Sequence, residues 1–167
     1  MKATSVLDDA QLIVLGNDIR SRAAGMGWNL ATMAAEIAIW YNQSTDPVFI
    51  VWKTVVSEKV ISDYLMESGA AIQLDNLTVG KRESLLWAFG LDLDMSIQAV
   101  RNTVDNFCGA QNDLKAAIKA ISKRATNRIE KLLATGTGTT ENPGTLVFEG
   151  TIMYPVVEAA IRATGVI

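Results

Sequence analysis

The sequence has no histidine and one cysteine, Cys108. Zinc and iron sites built on imidazole and thiolate ligands are excluded by count, and so is a disulfide framework. A nucleophilic Cys108 would lack its usual imidazole base, so the expectation is a small apolar side chain packed near the end of its helix. No apolar run approaches the length of roughly eighteen residues that a membrane span needs. Asp8, Asp9, Asn17 and Asp18 interrupt the first apolar stretch, so no signal peptide is expected. There is no internal repeat, and no linker divides the chain. No cofactor is expected.

The 167 residues are 49% hydrophobic and 20% charged, a composition that collapses into a core. A single helical domain over 1–167 is the expectation. Net charge is −3, unevenly spread: residues 1–80 carry nine acids and five bases, whereas 81–134 carry six acids and nine bases. A mildly acidic molecule thus has one basic band, which suits either an acidic neighbour or nucleic acid.

Apolar spacing predicts a mainly α fold, a compact bundle of six to seven helices with a short extended segment or β-hairpin arm. The first helix covers Asp8–Ala24, stopped by Gly25 and Gly27. Asn29 caps a second to about Asn42, with Ile37, Ile39 and Trp40 on its stripe. Asp46 and Pro47 break the chain before the β-rich Val48–Val56. Further helices follow Ser57, Thr78 (with Leu85, Leu86 and Phe89 inward) and Ser96, then cover Gln111–Ser122 and Thr126–Ala134. A Gly/Thr-rich loop at 135–144, a strand over Thr145–Phe148 and a short helix over Val156–Ala163 complete the chain.

Several groups bear on chemistry. Gly136 and Gly138 suggest a phosphate cradle, but a helix precedes them and no lysine follows, so the loop fails as a P-loop and reads as a connector or subunit contact. Lys115, Lys119 and Lys123 stand at i, i+4 and i+8, one stripe on a continuous helix, joined beyond it by Arg124, Arg128 and Lys131. Three readings stand for this stripe: a solvated face, pairing with acids on a neighbouring subunit, or phosphate contact without sequence reading. The pairs Asp8–Asp9 and Asp92–Asp94 fall where capping explains them. Glu36, in an otherwise apolar helix, is the one acid to examine for burial. With neither histidine nor a nucleotide or metal motif, catalysis is not expected.

Three stretches carry a resemblance: Phe49–Val56 with its Val51-Trp52-Lys53-Thr54-Val55-Val56 core, Asp75–Arg82, and above all Lys123–Gly138. They resemble a short protein found among the virion morphogenesis genes of tailed bacteriophages, over about two thirds of the chain. The resemblance implies a virion protein assembled in the host cytoplasm, of the head-to-tail connector (neck adaptor) type. Such adaptors form a ring under the portal, are helical and non-catalytic, and clasp neighbours through loops or termini. It implies as partners copies of the same chain, the portal protein and tail or other neck proteins, with possible non-specific contact to packaged DNA and no membrane. Thr135, Gly136, Thr137, Gly138, Thr139 and Thr140 would be the clasping loop, and the apolar end Gly165, Val166 and Ile167 a second contact. A capsid-associated or tail-completion protein, or a small DNA-binding packaging protein using 115–131, would share these features.

Overall fold

The structure, a computed structural model, describes residues 5–165, so Val166 and Ile167 lie outside the described residues. It is mainly helical, with eight α-helices and a 3-10 helix among the described residues. The helices are α1 Asp9–Met26, α2 Ala34–Asn42, α3 Glu58–Ser68, α4 Val79–Phe89, α5 Gln98–Cys108, α6 Asn112–Ile121, α7 Arg128–Leu133 and α8 Tyr154–Ala163. The strands β1 Ile50–Trp52 and β2 Lys123–Ala125 pair as an antiparallel sheet.

Local chemistry explains several boundaries. Asp8 closes a capping box on α1: its carboxylate accepts from the Gln11 amide at 2.8 Å while the Gln11 side chain accepts from the Asp8 amide at 3.0 Å. The helix runs through Gly25 and ends at Gly27, whose φ of 67° is the left-handed C-cap that glycine favours. Asn29 does not cap α2; its side chain accepts from the Ala31 amide and closes a separate turn, so α2 begins only at Ala34. Thr145–Phe148 is no named strand among the described residues but carries isolated bridge positions at Thr145, paired with Thr135, and at Phe148, and Leu146 and Phe148 alternate inward as an extended segment would place them.

The chain divides into two compact units, and it passes between them at residues 50/51 and 124/125, within β1 and β2. Residues 51–124 form one unit around Val56, Ile61, Leu85, Phe89, Met95, Val104, Leu114 and Ile118. Its α4 turns Leu85, Ala88 and Phe89 to this core, whereas Leu86, expected inward, is exposed.

The other unit, built from residues up to Ile50 and from Ala125 onward, has a separate core of Leu15, Ile19, Ile37, Tyr41, Ile129, Phe148, Val157 and Ile161. Here α1 and α8 approach closely. A Cβ on Gly16 would stand 2.2 Å from the Ala160 carbonyl oxygen, so only a hydrogen fits. Arg20, one turn on, donates to Thr164 Oγ1 at 2.8 Å and to the carbonyls of Ile161 and Gly165, satisfying acceptors that the end of α8 leaves open.

Candidate functional site

The six basic residues singled out in the sequence are divided among α6, β2 and α7. Lys115 and Lys119 lie on α6, and both turn back to their own unit. Lys115 Nζ donates to the Gly109 carbonyl at 3.2 Å, and Lys119 Nζ pairs with Asp105 at 2.8 Å. The helix stops before Lys123, because Ser122 is buried, its hydroxyl donating to the Ile118 carbonyl and its own carbonyl accepting from the Lys53 amide. Strand pairing thus overrides the helical spacing, and the continuous stripe Lys115–Lys119–Lys123 is not formed. Lys123 instead sits in β2 with its ammonium 5.2 Å from the Trp52 ring, which Arg101 also covers at 4.8 Å. Arg124 follows in β2, half-buried.

Arg128 and Lys131 belong to the other unit, one turn apart on α7, where they line a cleft of about 470 Å³ with Asp18, Arg22, Trp40, Tyr41, Thr45, Asp46 and Leu132. The cleft exists because α7 starts on a capping box. Asn127 accepts from the Glu130 amide at 2.9 Å, Glu130 accepts from the Asn127 amide, and the buried Glu130 carboxylate also takes the Gly150 amide at 3.0 Å. That fixes the phase of the helix and hence the direction of Arg128 and Lys131.

Within the cleft Trp40 is the hub. Trp28 meets it edge-on at 5.4 Å and Tyr41 at 4.9 Å; Arg128 lies 4.0 Å from its ring centroid and Arg22 at 5.3 Å. Arg128 Nη1 donates to the Trp40 carbonyl at 3.1 Å and to Gln43 Oε1 at 2.9 Å, which locks the guanidinium in place. On the opposite side of the charge balance, Asp18 is fully engaged. It accepts from Arg22 Nε at 2.7 Å, from Arg22 Nη2 at 3.1 Å and from the Tyr41 hydroxyl at 2.5 Å. Burial raises the Tyr41 pKa above the ordinary phenol range, and its bond to Asp18 and that residue's charge raise it further; the same Asp18 bond raises Arg22. Tyr41 therefore stays a neutral donor.

The loop at 135–144 is folded on itself. Thr135 and Thr145 exchange backbone bonds at 2.9 Å, Thr137 donates to the Asn142 carbonyl, and Thr139 Oγ1 accepts the Asn142 amide. It is also fastened to β1: Ile50 donates to the Gly138 carbonyl at 2.7 Å and accepts from the Gly144 amide at 2.8 Å. Gly138 is required twice over, by a φ of 68° and because a Cβ there would lie 2.1 Å from the Phe49 ring. Gly136 shares the positive φ, while Thr139 and Thr140 are exposed at the tip.

The remaining candidates are settled by placement. Glu36 is exposed on α2; among the described residues the buried acid is Glu130. Cys108 is fully buried at the end of α5, and burial pushes its thiol up to about 11. Asp94 accepts from the Ser96 amide and hydroxyl in the turn before α5, and Asp92 occupies a left-handed turn position. Among the described residues no group of three histidine, cysteine or acidic side chains is placed to hold a metal ion, and no helix is long and apolar enough to cross a membrane. No known protein family, curated protein or solved structure matches the chain.

Proposed function

We propose that this chain is a structural, non-catalytic component of a tailed-bacteriophage virion, a head-to-tail adaptor that acts by binding neighbouring protein chains, including copies of itself. One observation carries the contact part of this reading. Helix α4 is apolar on both sides: Leu85, Ala88 and Phe89 face the core, while Val79, Leu86 and Trp87, with Leu91 just beyond, are exposed around Glu83. Trp87 is 68% exposed. A surface helix ordinarily presents polar residues outward, and clustered apolar side chains in their place mark a surface that another protein covers. The resemblance carried by Phe49–Val56, Asp75–Arg82 and Lys123–Gly138 supplies the virion setting. The portal-proximal ring is the member of that setting in which such a contact would repeat from copy to copy, by heterologous faces that close on themselves.

Mass spectrometry of purified particles and mass photometry of the purified protein, alone and with portal protein, test the reading together. The expected result is that the chain is present in mature particles, binds portal protein or itself, and loses that binding in Trp87→Ser, whose side chain lies outside the core. Absence from particles, or assembly undiminished by Trp87→Ser, would overturn it.

A further inference from the structure

The cleft around Trp40 holds two cations that the fold positions but does not neutralise. Arg128 is immobilised by its place over Trp40 and by two bonds through Nη1 alone. Its Nε and Nη2 donors, the parallel pair that matches the two oxygens of a carboxylate, bond to nothing among the described residues. Lys131, one turn along α7, has its ammonium 5.8 Å from the Phe49 ring and makes no ion pair or hydrogen bond among the described residues. Arg22 is different, since both of its bonding nitrogens are committed to Asp18. We infer that this cleft is a receptor for a carboxylate side chain presented by an acidic segment of a partner protein, with Arg128 as the bidentate fork and Lys131 as the second charge.

The lining selects among anions. A nucleic-acid backbone brings a row of phosphates and needs a groove of uniform positive charge, but the exposed Asp46 carboxylate stands in the same wall and is without a bonded cation among the described residues. Base stacking is also unsupported, because Trp40 is already attended by Arg128, Arg22, Trp28 and Tyr41. A protein segment suits both signs: its acid meets Arg128 and Lys131, its stem lies along Leu132, and its backbone N–H groups can donate to Asp46. This holds whether or not the chain belongs to a virion.

The test is a titration of the full-length, isotopically labelled protein, followed by NMR at the Arg128 Nε–H and Trp40 indole resonances. The probes are an acetylated, amidated tetraglutamate peptide, its glutamine counterpart, inorganic phosphate and oligothymidylate. The glutamate peptide is expected to shift both resonances with a saturable isotherm near about a millimolar, and the glutamine peptide to leave them unmoved. Arg128→Lys, which keeps the charge but loses the fork, should weaken binding about tenfold, and Lys131→Met about fivefold. Lys115→Ala should bind as the parent does. If Arg128→Lys fails to fold, the Lys131→Met loss decides alone. Equal binding of the glutamine peptide, equal or tighter binding of phosphate or oligothymidylate at these resonances, or no loss in the folded variants would overturn the inference.

Discussion

The same substitution at two positions of α1 should change stability in opposite directions, and the contrast isolates one packing contact. Gly25 and Gly16 both lie within Asp9–Met26. A Cβ at Gly25 meets nothing within 4 Å, so Gly25→Ala should realise the intrinsic helix preference of alanine, about 0.5–1 kcal/mol. At Gly16 the same gain is available, but the added carbon would lie 2.2 Å from the Ala160 carbonyl oxygen and 2.7 Å from Thr164 Cγ2. The first of these is backbone, so no rotamer change relieves it. Helices α1 and α8 must move apart by roughly an ångström, loosening Leu15, Ile19, Val157 and Ile161, an overpacking loss of about 1–3 kcal/mol or somewhat more. The expected net is a loss of about 2 kcal/mol for Gly16→Ala. At about 2–4 °C per kcal/mol, calorimetry should show Gly25→Ala melting about 2 °C higher and Gly16→Ala about 4–8 °C lower than the parent. Hydrogen exchange should place the Gly16→Ala loss in the amides of α8. A Gly16→Ala protein as stable as Gly25→Ala would refute the close crossing.

Two further outcomes follow from the structure. Gly138→Ala should cost about 2–5 kcal/mol, part from the left-handed backbone and part from collision with Phe49; pairing it with Phe49→Ala should recover the second part only, so a double-mutant cycle by urea melting reads a strongly non-additive coupling, and additivity would show that the loop does not seat on Phe49. Above about pH 10 the unfolded chain releases the Tyr41 proton while the folded chain, with its raised pKa, retains it, so the stability contributed by neutral Tyr41 is complete below that pH and declines as pH rises; denaturant midpoints measured across this range should fall more steeply for the parent than for Tyr41→Phe.

Helix positions were legible in the sequence because their determinants are local: Asp8 and Gln11 make a capping box, and Gly27 and Gly69 adopt left-handed caps. What depends on distant pairing was not. Lys123 fits the helical spacing of Lys115 and Lys119, yet the Lys53 amide claims the Ser122 carbonyl and the chain turns extended. The 3-10 helix Ala70–Asn76 carries no side-chain cap signal, and the division into two cores is invisible to periodicity, which reports that a face is buried but not against what. Leu86 and Ile39, expected inward for being apolar, are both exposed. The Gly/Thr tract was legible as a loop, but its docking on Phe49 and Ile50 depends on residues almost ninety positions away, about the separation that also joins Trp40 to Arg128 in the cleft. The one local hint of that cleft was the Arg128–Lys131 spacing on a single helical face.

The basic band is the most organised charge feature of the sequence, but Lys119 already has its acid in Asp105, and breaking such a partly exposed pair to bind elsewhere recovers only about 0–1 kcal/mol. A tryptophan fully covered by a partner counts for more, with hot-spot truncations reaching about 2 kcal/mol or above. Trp87 begins 68% exposed and is flanked by Val79, Leu86 and Leu91, so most of its ring is still available for burial. Each apolar neighbour adds burial at about 25 cal/mol per Å² and helps to exclude water from the ring. On the adaptor reading proposed above, affinity for a neighbouring chain would belong chiefly to the outer face of α4. On the same reading, charge at Arg128 and Lys131, where the Nε–Nη2 fork has no acid among the described residues, would instead select which neighbour binds, since orientation and discrimination are what fixed charges supply best.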